Sequence, residues 1–138
     1  MTSTSATTSA AATFPPLTSE FTWAPSTTGG GGQPLPAGEA QTGSTIGIRT
    51  ATDTTHSAGN YQWLVPIGGT GMSETLAQLT AFLGAALPAG NYYAAVDQTD
   101  ALNGVSATSA WSAEIPFSIP VPVPVIVTPS VPQNFSAA

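Results

Sequence analysis

His56 is the only histidine of the chain, and it lies in the run Asp53-Thr54-Thr55-His56-Ser57, an acid, an imidazole and a hydroxyl close together in sequence. These are the residue types of a Ser-His-Asp relay, in which the imidazole takes the serine proton and the carboxylate holds the imidazole. A nucleophile of that kind sits on a strained elbow such as Gly-x-Ser-x-Gly, and the sequence contains none. An exposed loop histidine is therefore the expectation. Asp97, Asp100 and Asn103 offer oxygens that calcium would accept, but the spacing is not that of an EF-hand, and Asn103-Gly104 is already accounted for as a hairpin turn. Zinc needs several nitrogen or sulfur ligands, and one histidine with no cysteine does not supply them. The seven acids show no motif that would pair two of them for glycoside hydrolysis. No catalytic residue, metal ligand or cofactor is expected, and the chain reads as a non-enzyme.

Two other sets of residues could make contacts. Trp23, Tyr92 and Tyr93 are candidates for stacking on sugar rings, with the proviso that successive strand residues point to opposite faces, so only one of Tyr92 and Tyr93 can face outward. Trp63 and Trp111 are expected to fill the core, because buried aromatic side chains supply much of its area. The second set is Val121, Val123, Val125, Ile126, Val127 and Phe135 in the C-terminal tail. These are too apolar for a solvated linker and point to docking on a partner.

Charge narrows the partners. Charged residues are 6% of the chain, and Arg49 is the only Lys or Arg, for a formal net charge of −6. Ordinary soluble domains carry about 25% charged residues. One arginine cannot displace the counterions of a nucleic acid or hold the chain on an anionic membrane, so neither partner is expected. The run Gly29 to Gly32 leads into Gln-Pro-Leu-Pro, not into a helix start, and reads as a flexible loop, not a phosphate cradle. Cysteine is absent, which excludes disulfides. Residues 1–13 hold neither the basic region nor the apolar run of a secretory signal, and no window is long and apolar enough to span a membrane. The expectation is synthesis in a cytosol without an export signal of its own.

These residues must be positioned by short strands. Phe21-Thr22-Trp23 alternates in the strand manner, 44–52 forms a strand weakened by Gly47, and Tyr61 to Val65 is a strand with Tyr61, Trp63 and Val65 on one face. Ser73 to Leu83 predicts a helix, with Ser73 as cap, Glu74 in the first turn, Leu76, Leu79 and Leu83 at helical spacing and Gly84 ending it. Leu-Pro-Ala-Gly at 87–90 is a turn into the strand Asn91 to Asp97, and the same tetrapeptide occurs at 35–38. Residues 1–13, nearly all Ser, Thr and Ala, make a disordered or extended arm. Residues 14–119 form one domain. Residues 120–138, with prolines at 120, 122, 124, 129 and 132, can be neither helix nor central strand and make an extended arm or a linker to a further module.

The Leu-Pro-Ala-Gly-Asn-Tyr turn, the Ser109-Ala110-Trp111-Ser112 run expected to open the last strand, and the closing Pro129-Ser130-Val131-Pro132-Gln133-Asn134-Phe135 together resemble fibronectin type III and related Ig-like modules. The resemblance covers about a third of the chain. It implies a mainly β, Ig-like or fibronectin-III-like antiparallel sandwich with one short helix and extended terminal arms, and it carries no catalytic residues. Modules of this type recur in phage virion proteins and in bacterial surface and secreted proteins. The expected function is a structural subunit of a phage or phage-like particle, such as a capsid decoration, head-fibre or tail-fibre protein, located in the virion. Its partners would be other virion subunits, itself included as a homo-oligomer, with a host-surface glycan as a further possibility. The alternative is a carbohydrate-binding or adhesion module at the bacterial surface.

Overall fold

The computed structural model describes residues 13–122 and 126–137. The chain is mainly β, with antiparallel sheets and one short helix. Strands β1 (Glu20–Thr22) and β4 (Ser73–Thr75) pair into a two-stranded sheet. The larger sheet has the order β3 (Trp63–Gly68), β2 (Ala40–Thr50), β5 (Gly90–Leu102) and β6 (Val105–Thr108), and β7 (Ile115–Ile119) also pairs with β5. Helix α1 (Leu76–Leu83) follows β4 directly. Both Leu-Pro-Ala-Gly turns lead into the two longest strands, β2 and β5, and these pair along most of their length.

Alternation along those strands divides the large sheet into two unlike faces. Ile46 and Ile48 of β2, Val65 of β3, Tyr92 and Ala94 of β5 and Phe117 of β7 are buried on one face, together with Phe21 of β1, Leu79 of α1 and Leu87. Phe21 meets the Phe117 ring edge-on at 5.1 Å, and Tyr92 stacks on Phe117 at 5.2 Å, so the small sheet and the helix close over this face. The Tyr92 hydroxyl donates to the Pro88 carbonyl and ties the start of β5 to its own turn.

On the opposite face side chains from several segments meet. Arg49 donates to both oxygens of Glu114, at 2.8 and 2.7 Å, and its guanidinium lies 4.6 Å from the centre of the Tyr93 ring. Phe14 packs edge-on to that ring at 5.3 Å. Beside them Tyr61 lies over Gly47, where any side chain would overlap its ring, and Trp111 meets Tyr61 edge-on at 4.9 Å. Gly47, which looked like a defect in a strand, is thus the floor for an aromatic ring.

Three expectations need correcting. The helix begins later than Ser73: Ser73 to Thr75 pair with β1, and Thr75 caps α1. The Thr75 hydroxyl accepts from Gln78 N at 3.0 Å, and the Gln78 side chain accepts from Thr75 N at 2.8 Å. That reciprocal box needs Glu or Gln three residues after the cap, and Ser73 has Leu76 there instead. Glu74 consequently sits on β4 opposite Phe21, not in the first helical turn. Tyr61 does not share a face with Trp63 and Val65, because regular strand begins only at Trp63. Trp111 lies outside the core and outside any strand.

The place of Trp111 follows from how β5 is paired. β6 accompanies its C-terminal end and β7 its N-terminal end, leaving Ala95 to Gln98 with neither. Ser109 and Ser112 fill that interval. Ser109 N donates to Gln98 O at 2.8 Å, while its hydroxyl accepts from Gln98 N at 3.0 Å. Ser112 N donates to Val96 O at 2.9 Å, and its hydroxyl accepts from Val96 N at 3.0 Å. Each serine supplies a backbone donor and a side-chain acceptor where a strand residue would supply both from the backbone. Ser-Ala-Trp-Ser is therefore a splice between two strands, and it turns Trp111 outward onto Tyr61.

Replacing Gly47 with alanine is expected to displace the Tyr61 ring and to cost about 1–3 kcal/mol, the usual range for overpacking. A urea titration followed by tryptophan emission measures it; an unchanged midpoint would mean that the ring does not rest on the strand.

Candidate functional site

Among the described residues the titratable side chains are spread over separate places in the fold. Asp53 and His56 do meet, with Nδ1 to Oδ2 at 2.6 Å. The same carboxylate accepts the backbone N–H of Thr55 and of His56, which holds the Asp53 carboxyl below the usual range, the Thr55 bond contributing most. No serine hydroxyl is hydrogen-bonded to the imidazole among the described residues, so two of the three parts of a relay are present and the nucleophile is not. Asp97 and Asp100 are three apart on β5 and project to opposite faces. Asp97 accepts the Thr45 N–H at 2.8 Å, whereas Asp100 accepts from the Gln98 side chain at 2.8 Å. Asn103 lies in the turn after β5 with φ 52°, and among the described residues no three metal-ligating side chains cluster.

One carboxyl pair escaped the sequence reading. Glu39 and Asp100 border one groove of about 430 Å³ between the glycine turn and β5–β6, and the neighbouring Asp100 carboxyl, ahead of loss of hydration, raises the Glu39 pKa. The glycine run itself is a closed turn, with Gly29 N donating to Gln33 O at 2.7 Å.

The aromatic candidates are dispersed. Tyr92, 2% exposed, is a core residue and cannot stack on a sugar. Tyr93 faces outward but has Arg49 against one side and the Phe14 ring at its edge. Trp23 packs against the core on the opposite side of the large sheet from Tyr93, so the two rings do not form a common platform.

Trp23 instead lines an apolar cavity of about 280 Å³, walled by Phe21, Ile46, Ala94, Val96 and Ile115. It opens between β1 and the region where Ser112 and Ala113 lead into β7. The Trp23 indole N–H is buried and has no acceptor among the described residues. No lining residue is charged.

The tail shows the reverse of burial. Val121, Ile126, Val127, Val131 and Phe135 are 74%, 90%, 81%, 83% and 100% exposed. Val123 and Val125 lie outside the described residues. No strand or helix occurs among the described residues after Ile119. The chain matches no known family model, curated protein or solved structure. Among the described residues no helix is long and apolar enough to cross a membrane.

Two measurements follow from the charged groups. Glu74 is buried against Phe21 with its pKa raised by loss of hydration, so its ionised form opposes folding at neutral pH and the penalty vanishes below the ordinary carboxylate value of 4.5. Glu74→Gln should therefore be more stable than wild type at pH 7 by a few tenths to about 1 kcal/mol, allowing for solvent screening, with the gap closing toward pH 4. Thermal melts at both pH values test this; a gap unaffected by pH would refute it. Arg49, the single tryptic site, is paired to Glu114 on a central strand. Cleavage there should require global unfolding, so a urea series with brief trypsin pulses should track the fluorescence transition; cutting in native buffer would show that β2 opens locally.

Proposed function

We propose that the protein is a non-enzymatic structural subunit of a phage or phage-like particle, working outside the cell as part of the virion. It would act by burying its extended C-terminal arm on neighbouring subunits. The observation that carries this reading is the arm. Five large apolar side chains between Val121 and Phe135 are almost fully in water. Fully burying a Val, Ile or Phe side chain is worth roughly 1.5–3 kcal/mol, so an arm of this composition left in solvent forgoes a large stabilisation that a partner surface would restore.

An Ig-like sandwich is the reading of the fold that accompanies it. In such sandwiches strands B and E share one sheet, while C, F and G share the other, extended in some by C′. Here β1 pairs β4, and β3-β2-β5-β7 form the second sheet, the order expected of C′, C, F and G. The Tyr92 hydroxyl bonded back to Pro88 corresponds to the tyrosine corner at the start of strand F. Helix α1 between β4 and β5 is an addition to that pattern. The carbohydrate-binding alternative gains no comparable support, since Tyr92 is buried and Trp23 and Tyr93 lie on opposite faces.

The full chain is expected to form oligomers by size-exclusion chromatography with light scattering, and a chain ending at Pro120 to be a monomer. The cut falls after Ile119 because that residue still pairs with Gly90. If both are monomers, the arm is a spacer and the assembly reading fails.

A further inference from the structure

We infer that the receptor for the arm is the cavity beside Trp23 on a second copy of this chain. This rests on the assembly reading above and specifies where the arm goes.

The chemistry of the two surfaces matches. An uncharged cavity with apolar walls selects a ligand segment that is itself apolar and uncharged. Aromatic-lined grooves recognise proline-rich segments in this way. Phe21, Trp23, Ile46 and Ile115 supply the apolar walls. The arm supplies valine and isoleucine among its prolines and a phenylalanine beyond them, with no charged side chain from Pro120 to Ala137.

Electrostatics and reach favour a second copy. Each copy carries a formal charge of −6, so copies repel except where uncharged surfaces meet, and both the arm and the cavity walls are uncharged. Extended at about 3.1 Å per residue, the arm from Ile119 to Phe135 reaches roughly 50 Å. A domain of this size has a radius of gyration of about 13 Å, so the arm extends beyond its own domain. It leaves β7 at Ile119, whereas the cavity lies near Ile115, about 13 Å back along the strand. Entering its own cavity would require a reversal where Pro120 and Pro122 favour extension, and Val121 is in fact exposed. Exchanged reciprocally, such arms close a twofold dimer; passed on in one direction, they build rings or filaments.

The test is sedimentation velocity on full-length chains over a range of concentrations. One variant blocks the cavity mouth with Ala113→Arg, at an exposed rim position; the other disarms the tail with Ile126→Ser, Val127→Ser and Phe135→Ser. Wild type should associate, each variant alone should be monomeric with an unchanged melt, and an equimolar mixture of the two should form a heterodimer. In that pair the blocked copy donates its arm and the disarmed copy offers its cavity. Where Ala113→Arg lowers the melting temperature, Thr22→Arg at the same rim replaces it. A blocked variant that assembles as wild type does, or a mixture that stays monomeric, overturns the cavity as receptor. Assembly by the disarmed variant, or a monomeric wild type, overturns the arm-mediated assembly itself.

Discussion

Hydrogen bonding along both edges of β5 is the constraint on which the other elements depend. One edge is taken by β2, which stays with it from Ala40 to Thr50 across a single register shift. The other edge is shared between β6 and β7, and the interval between them would leave peptide groups without partners. Ser109 and Ser112 bridge it with hydroxyl acceptors and backbone donors. The two serines thus carry hydrogen bonding through the gap between β6 and β7 without a regular strand there. The bridge also decides where Trp111 and Glu114 project, and with them how the outer face is closed.

That outer face explains how a chain with so little charge keeps a large sheet out of water. Its one guanidinium is used twice, in a bidentate pair with Glu114 and over the Tyr93 ring. Tyr61 can lie on the sheet only because residue 47 has no side chain. The inner face is conventional by contrast, with aliphatic residues of β2 and β3 under the Tyr92, Phe117 and Phe21 rings. The rings are divided between the two faces, with Phe21, Tyr92 and Phe117 on one and Tyr61, Tyr93 and Trp111 on the other.

Large apolar side chains remain exposed both in the domain, at Leu64, Phe82, Val105 and Ile115, and along the arm. The arm is set apart by having no charged residue beside them, and the lining of the cavity beside Trp23 is uncharged too. In the assembly proposed above these two uncharged surfaces would meet, while a net charge of −6 discourages contacts elsewhere.

Near-neighbour chemistry alone determined much of the fold. The alternating runs at Phe21, at Ile46 and Ile48, at Trp63 and Val65 and at Tyr92 to Val96 became strands, Asn103-Gly104 became a turn, and Gly84 ended the helix. The start of that helix was also legible, in Thr75 and Gln78, to anyone weighing the box against the bare presence of a serine. Only the tertiary structure decided which of Tyr92 and Tyr93 faces inward, that Tyr61 and Trp111 meet over Gly47, that Glu39 and Asp100 border one groove, and that Trp23 borders a cavity. Strand periodicity says that neighbours oppose one another but not which face is core. That choice is made by contacts between residues tens of positions apart, such as Arg49 with Glu114 and Phe21 with Phe117, and no local pattern encodes them.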